Sequence, residues 1–359
     1  MTGRTVTGGI GAGLRSRRLV TLPSRRRVLV VTVIALIAAA VIGLLGIVAG
    51  SSSLTIPDAV RTLLGAGTPG HQLIVIELRL PRVVAGLLVG TALGIAGALT
   101  QTFARNPLAT PDILGVTSGA SLGAVAAIVL AGGSYSVGAG LLSLGLPLVA
   151  VLGAMISSAI VYGLAWRGGV DSYRLILIGI GATAALGGIT SYLIAQAKIT
   201  DATAAAQWLV GSLSGVSWAS VWPVLVCLVV ITPIALQQST ILELTQLGDE
   251  VSTSLGVAVQ RHRLLVITCA VVLTAAAVSA SGPVEFVAFV APQIARRLAR
   301  TGRPPILAAG LVGAVIVTGG DALARGVLPG QVPVGIITAI VGAPYLIWLL
   351  TRRKEQETL

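Results

Sequence analysis

The sequence predicts an all-α polytopic membrane protein. Of its 359 residues, 55% are hydrophobic and only 10% are charged, whereas a soluble domain of this length needs more charge to cover its surface. The mean hydropathy is +0.96. Apolar runs of about 18 residues or more recur along the whole chain, and this is the length that spans a bilayer core as a helix. Counting the runs gives about ten transmembrane helices.

The apolar runs give the order of these helices. They occupy about residues 28–50, 81–103, 117–131, 146–166, 174–197, 218–236, 264–280, 284–298, 306–323 and 332–350. We therefore expect one transmembrane domain over residues 28–351, a basic cytoplasmic tail over residues 1–27 and a short tail over residues 352–359. Between the first two runs, the spacing of Ile56, Val60 and Leu63 predicts a short amphipathic helix at the membrane interface.

The net charge of +12 raises the question of a nucleic-acid partner, but the positions of the charges favour a membrane explanation. With the predicted helices in place, 19 of the 24 lysines and arginines lie on one side of the membrane. The others are Arg61, Arg79, Arg82, Lys198 and Arg325. This bias follows the positive-inside rule, so it predicts both termini in the cytoplasm and no nucleic-acid partner.

Motifs for ATP binding and catalysis are absent from the sequence. Without a G-x-x-x-x-G-K-[ST] phosphate loop we expect no ATP site in this chain, and without HExxH or GxSxG motifs we expect no enzyme. Cys227 and Cys269 lie in apolar runs and predict neither a disulfide nor a metal site. The rival from a different class is an ion-coupled secondary transporter, for which Asp321 is the one candidate acid, and Arg325 already offers it a partner.

The stretch RNPLATPDILGVTSG, residues 105–119, interrupts the apolar pattern. Pro107 and Pro111 donate no backbone hydrogen bond and disfavour helix at the preceding residue, so residues 105–112 are predicted to be irregular. Irregular backbone at membrane depth must be buried in protein or line an aqueous cavity. The segment is therefore either an ordinary cytoplasmic turn or a constriction beside a transport path, and the residue pattern leaves both open.

The longest polar interval covers residues 237–263. Leucines at helical spacing predict two short helices that break at Gly248. In a free solvated loop these leucines would be exposed to water, which is unfavourable. The pattern therefore favours a partner that covers this interval.

Several charged residues are predicted on the outer side. Arg79 and Arg82 could extend along lipid to the interface, or form with Arg325 a cationic rim for an acidic partner. Arg325 could also pair with Asp321 four residues earlier. Glu285, before the eighth helix, is expected either to touch a passing ligand or, as we favour, to meet water at the outer surface.

Several motifs, in order along the chain, resemble the FecCD family, the permease subunits of ABC importers for iron chelates, haem and cobalamin. They are LRLPRVVAGLLVGTALGIAGALTQTFARNPLATPDILGVTSGASLGA, WLVGSLSGVSW, LGDEVSTSLGV, PQIARRL, GGDALAR and VPVGIITAIVGAPYLIWLL. The resemblance covers the chain from about residue 28 to its tail. It implies a cobalamin-importer-like permease fold.

The resemblance also implies functional residues. Asn106 and Leu108 would form one part of a cytoplasmic gate, and Asp171 with Ser172 the other, with Asp171 standing where a small hydroxyl residue is expected. An extracytoplasmic substrate-binding protein would dock its glutamates on the three outer arginines, Arg79, Arg82 and Arg325. Coupling helices within residues 237–263 would contact the ATPase through Leu244, Leu247, Gly248, Asp249, Glu250, Leu255 and Gly256.

PQIARRL together with PYLIWLL is most similar to ferric-siderophore permeases of the ferric-enterobactin type, especially to one of the paired subunits for catecholates. The resemblance thus implies an ATP-driven importer of a ferric siderophore in the cytoplasmic membrane, with cobalamin or haem as alternatives. ABC ATPase subunits would bind the ATP, so this chain would need no cofactor of its own. A second permease subunit would complete the path; the resemblance favours a related chain, with a second copy of this one as the alternative.

Overall fold

The computed structural model describes residues 25–50, 54–130, 145–167, 169, 172–246, 248–327 and 332–357. Within these ranges the chain forms fifteen α-helices. The first eight are α1 (Arg25–Val48), α2 (Ile56–Leu63), α3 (Pro69–Gln72), α4 (Leu80–Phe103), α5 (Val116–Leu130), α6 (Gly145–Ala165), α7 (Ser172–Gln196) and α8 (Ile199–Leu209). The others are α9 (Trp218–Gln237), α10 (Ser239–Thr245), α11 (Asp249–Ser254), α12 (Val259–Ser281), α13 (Val287–Ala299), α14 (Ile306–Gly326) and α15 (Val334–Glu357).

Each of the ten predicted transmembrane segments is helical, as α1, α4, α5, α6, α7, α9, α12, α13, α14 and α15. In the described part of the chain, seven helices are long and apolar enough to cross a membrane, and Val116–Leu130 and Val334–Leu349 are shorter apolar helices. The 13 residues of α13 extend about 20 Å, less than the hydrocarbon core of about 30 Å. The all-α membrane fold is thus confirmed.

The segment boundaries differ from the prediction at three places. The second span begins at Pro69 rather than Pro81, because a π-helix (Leu73–Arg79) joins α3 to α4. Pro81 does not break this span, since it occupies the first turn of α4, where a missing N–H is tolerated. The helix α8 was not predicted. The tenth helix continues to Glu357, and most of the predicted tail over residues 1–27 lies outside the described residues.

The short amphipathic helix predicted after the first span is α2. Its N-cap Thr55 and Asp58 form a reciprocal capping box, which satisfies backbone donors of the first turn. The helix buries Ala59, while Ile56 and Leu63 remain exposed. An exposed apolar face of this kind suits the membrane interface.

Glycines bring α4 and α14 into backbone contact at the centre of the bundle. A Cβ on Gly90 would lie 2.3 Å from the carbonyl oxygen of Gly313, and one on Gly94 would lie 2.2 Å from that of Ala309. No real side chain fits such distances, so only glycine allows the two helices to approach this closely. We call this contact the α4–α14 seam.

The bundle has two polar ends. We call the end where α4 finishes the Phe103 end, and the end where the π-helix meets α4 the Arg79 end. On the outside of the bundle, only 17% of the most apolar 18-residue stretch of α7 is buried, and the same holds for α1. These apolar faces require lipid or another protein chain to cover them.

Candidate gate and coupling site

The segment after α4 folds into a tight turn around Asn106. Arg105 adopts a left-handed conformation (φ 50°), which ends the helix. The Asn106 side-chain oxygen then accepts a hydrogen bond from the Leu108 backbone N–H at 2.9 Å, and the Asn106 carbonyl accepts one from Ala109 at 3.1 Å. An asparagine suits this turn because its side chain bonds the backbone two residues further along. The irregular backbone predicted for this segment is confirmed.

A pair of buried amides holds this turn against α13. Gln293 is fully buried (0% exposed) and its Nε2 donates to the Pro107 carbonyl at 3.0 Å and to Gln101 Oε1 at 2.5 Å. Gln101 in turn donates from its Nε2 to the Phe289 carbonyl at 3.0 Å. Sequence analysis missed both glutamines. The sequence feature that could have identified them is a long polar amide side chain within an otherwise apolar helix. Such a side chain needs hydrogen-bond partners when it is buried.

Beyond the turn, a 3-10 helix (Pro111–Leu114) brings the segment to α6 and α7. It ends at Gly115, which has φ 69° and whose carbonyl accepts a hydrogen bond from the Ser157 hydroxyl at 2.9 Å. A Cβ on Gly179 of α7 would lie 1.8 Å from the Ile113 carbonyl oxygen, so α7 rests directly on this 3-10 helix. Because this 3-10 helix follows directly after the turn, a movement of α7 would displace the turn.

The predicted gate residues are placed as follows. Asn106 and Leu108 lie in the one turn described above, and Leu108 is exposed. Ser172 is the first residue of α7, while Asp171 lies outside the described residues. The pairing of the two halves of the gate stays a prediction.

The two short helices predicted for the polar interval are α10 and α11, and Gly248, with φ 113°, separates them. The fully buried Ser252 fixes their geometry, because its hydroxyl lies 2.9 Å from the Leu244 carbonyl and 2.7 Å from that of Gly248. Leu247 lies outside the described residues.

The outer surface of this helix pair is apolar at its tip. Leu255 is 60% exposed and Val251 47% exposed, with the exposed Glu250 beside them. Gly256 follows with φ 84° and open space around its α-carbon. An exposed apolar tip on a polar loop is typical of a protein contact.

An ion pair connects the turn to this helix pair. Arg105 Nη2 donates to Asp249 Oδ1 at 2.5 Å and also to the Thr245 carbonyl. Arg263, at the start of α12, donates to the other Asp249 oxygen at 3.1 Å. Partial burial opposes ionisation of Asp249, but the hydrogen bond from Arg105 and the charges of both arginines outweigh it, so the pKa of Asp249 is lowered. Asp249 therefore faces its own chain, whereas Glu250 is exposed.

At the Arg79 end, two arginines share one buried carboxylate. Asp321 is 1% exposed, and it accepts hydrogen bonds from Arg82 Nη2 at 2.7 Å and from Arg325 Nε at 3.0 Å. The predicted pair between Arg325 and Asp321 is thus confirmed. Two cations around one anion leave a net positive charge, so a cationic rim remains compatible with this geometry.

The same end caps the last carbonyls of α1. Arg79 Nη1 donates to the Ile47 carbonyl at 2.7 Å, and Arg325 Nη1 donates to that of Ala49 at 2.8 Å. Cations at a helix C-terminus satisfy carbonyls that have no partner within the helix. Arg79, Arg82 and Arg325 therefore tie α1, α4 and α14 together, and their docking role stays a prediction.

A profile of the FecCD transport family matches residues 30–352 of this chain. The chain is 37% identical to the ferric enterobactin transport system permease protein of Escherichia coli K12, over 92% of this chain and 98% of that protein. It is also 37% identical to the iron(3+)-hydroxamate import system permease protein of Bacillus subtilis 168, over 81% and 88%. A cobalamin import system permease protein of Halobacterium salinarum is 36% identical over 79% and 74%.

A solved structure shares the fold. It is described as a metal-chelate-type ABC transporter in an inward-facing conformation, and it superposes with a TM-score of 0.77 at 26% identity, over 90% of this chain and 99% of that one. The match extends over nearly the whole of both chains.

Proposed function

Since this chain belongs to the FecCD transport family, we propose that it works as the permease subunit of an ATP-driven importer for a ferric siderophore. The observation that carries this assignment is the identity of 37% to a ferric enterobactin permease along 98% of that protein's length. A hydroxamate permease is equally similar, and a cobalamin permease is matched over a smaller share of its length. Iron bound to a siderophore is thus the best-supported cargo.

An importer of this kind needs subunits that this chain does not supply. The sequence has no phosphate loop, so ABC ATPases would bind and hydrolyse the ATP, and the permease itself would have no catalytic site. An extracytoplasmic binding protein would deliver the ferric siderophore. A second permease subunit, a related chain or another copy, would cover apolar faces such as that of α7.

We place the protein in the cytoplasmic membrane as a multi-pass subunit with the Phe103 end and both termini in the cytoplasm. The arginines concentrated at that end, including Arg105, Arg263 and Arg303, support this orientation through the positive-inside rule. The Arg79 end then faces outward, where its net positive charge is available to an acidic binding protein. The membrane domain would cover residues 28–351.

The contacts at the Phe103 end support a mechanism for coupling. The apolar tip at Val251 and Leu255 would sit in the ATPase, so closure of two ATPases would move α10 and α11. Arg105 would pass this displacement to the turn at Asn106 through its bond to Asp249. The turn continues into the 3-10 helix, whose Ile113 carbonyl contacts α7 at Gly179. A movement of the turn would therefore also shift α7, and the gate residues Asn106, Leu108, Asp171 and Ser172 would move apart.

Uptake by reconstituted vesicles tests the proposed function. We would incorporate this chain with its second permease and ATPase, supply binding protein on the outer face, and follow radioactive iron bound to a siderophore. ATP with binding protein should drive uptake, and a proton gradient alone should not. Uptake driven by the gradient without ATP would instead identify a secondary transporter, which is the rival explanation.

A further inference from the structure

Glu285 lies in the connection between α12 and α13, well below the Arg79 end. The outer limit of this connection is Ser281, whose carbonyl accepts a hydrogen bond from the Ser212 backbone N–H at 2.7 Å. The side chain of the next residue, Leu213, packs on α4, with its Cδ1 3.2 Å from the position of a Cβ on Gly86. The start of the connection is therefore level with Gly86.

The inner limit is Ala288, three residues after Glu285. A Cβ on Gly97 of α4 would lie 1.8 Å from the Ala288 carbonyl oxygen, so this end of the connection is level with Gly97. At about 1.5 Å per residue, Gly86 and Gly97 are about 16 Å apart along α4, and Gly97 is about 9 Å from its end at Phe103. Glu285 thus lies near the middle of a hydrocarbon core of about 30 Å, deeper than the outer-surface position we expected.

At this depth Glu285 is the exposed residue of an otherwise packed connection. Val284 and Val287 on either side of it are buried. Phe286 adopts a left-handed conformation (φ 63°) and packs against α15, where a Cβ on Gly342 would lie 2.2 Å from the Phe286 Cβ. This unusual backbone starts α13 half way across the membrane and leaves Glu285 on the surface of the chain.

A carboxylate at this depth is unfavourable against lipid, and such groups face an aqueous cavity or another protein. Irregular backbone at membrane depth obeys the same restriction. We propose that Glu285 lines the translocation path and sets its charge preference, favouring uncharged or cationic ferric chelates over polyanionic ones. This inference rests on the proposed function, because it takes the path to run along this surface between two permease subunits.

The preference follows from the charges of the cargo. A ferric tris-catecholate is a polyanion, a ferric tris-hydroxamate is uncharged, and one with a pendant ammonium group is cationic. A fixed negative charge beside the path repels the first and attracts the last. Glu285→Gln removes the charge and keeps the size, whereas Glu285→Asp keeps the charge.

The first experiment asks where Glu285 lies, without using any chelate. Glu285→Cys in a Cys227→Ser background is treated with membrane-impermeant cationic thiol reagents, with the background chain as the control for Cys269. We expect labelling whose rate changes several-fold between the ATP-free complex and the complex trapped with vanadate, since the two differ in the side to which the path is open. Absence of labelling in both states would place the residue against lipid or a subunit and overturn the proposal.

The second experiment compares uptake of the three ferric chelates by vesicles containing wild type, Glu285→Gln or Glu285→Asp, each with saturating binding protein. For each chelate, the ratio of uptake by two permease variants cancels the preference of the binding protein among chelates, because the binding protein is the same in both. The comparison uses each charged chelate that the binding protein accepts. Glu285→Gln should raise uptake of the polyanion, or lower uptake of the cation, by about tenfold. This change is measured relative to the uncharged chelate or to Glu285→Asp. Equal effects on all chelates would overturn the charge-selection role, while ATP-dependent uptake by wild type tests the proposed function separately.

Discussion

Arg105 and Asp249 are separated by 144 residues in the sequence, yet their side chains meet at 2.5 Å and join the turn after α4 to the α10–α11 pair. Both side chains are partly exposed, at 41% and 46%. An ion pair this exposed stabilises the fold by less than about 1 kcal/mol. In the proposed mechanism, this pair transmits movement between the turn and the α10–α11 pair.

Replacing Arg105 should therefore uncouple ATP hydrolysis from uptake. For Arg105→Ala we expect hydrolysis near the wild-type rate and uptake per ATP lower by roughly threefold to tenfold. Arg105→Lys, which keeps the charge, should recover part of the loss, and Arg61→Ala on the exposed surface of α2 is the control. Unchanged uptake per ATP would exclude the link.

The same link should be insensitive to pH in the neutral range. The folded pKa of Asp249 is lowered, so its contribution is present above the ordinary value and is lost only as the pH falls through the lowered pKa. Coupling measured as uptake per ATP should thus stay level through neutral pH for wild type. A loss of coupling at mildly acidic pH that Asp249→Asn abolishes would contradict this expectation.

Removing the buried carboxylate at the Arg79 end should destabilise the bundle. Asp321→Asn leaves Arg82 and Arg325 without their shared anion, and breaking a buried pair in this way costs about 3 kcal/mol or more. Thermal unfolding of the purified complex should occur at a lower temperature. Glu77→Gln, at an exposed position of the π-helix, is the matched control, and equal melting of both variants would refute the buried triad.

The buried glutamine of α13 should hold the turn in place. Gln293→Leu removes the donor to the Pro107 carbonyl and to Gln101, which costs about 1–3 kcal/mol. We expect a cysteine introduced as Leu108→Cys to react faster with thiol reagents in this background. Gln246→Leu, at an exposed position after α10, should leave the rate unchanged.

The apolar tip of α11 should determine how tightly the ATPase binds. Leu255→Asp places a charge where an apolar contact is expected, so recovery of the ATPase with the purified permease should fall by about tenfold. Thr253→Asp adds the same charge at an exposed polar position two residues away and serves as the control. Equal recovery with both variants would show that the tip is not the contact.

The sequence predicted the helices and the irregular turn because their signals are local. Apolar runs of membrane-spanning length, Pro107 and Pro111, and the break at Gly248 each act within a few residues. The contacts that assemble the site were not predictable in this way. Gln293 and Pro107 are 186 residues apart, and periodicity contains no information about which distant group satisfies a buried amide. The depth of Glu285 depends on a distant contact of the same kind, between Ala288 and Gly97, which the residue pattern also does not reveal.

The α4–α14 seam has a consequence for the electrical insulation of the membrane. Water can cross a protein only through a gap wide enough for a file of molecules with polar partners, and backbone contact at Gly90 and Gly313 excludes such a gap. Main-chain packing thereby closes the contact between α4 and α14 to a file of water that could conduct protons. An alanine at either glycine would force the helices apart, and a rise in proton conductance would reveal the damage.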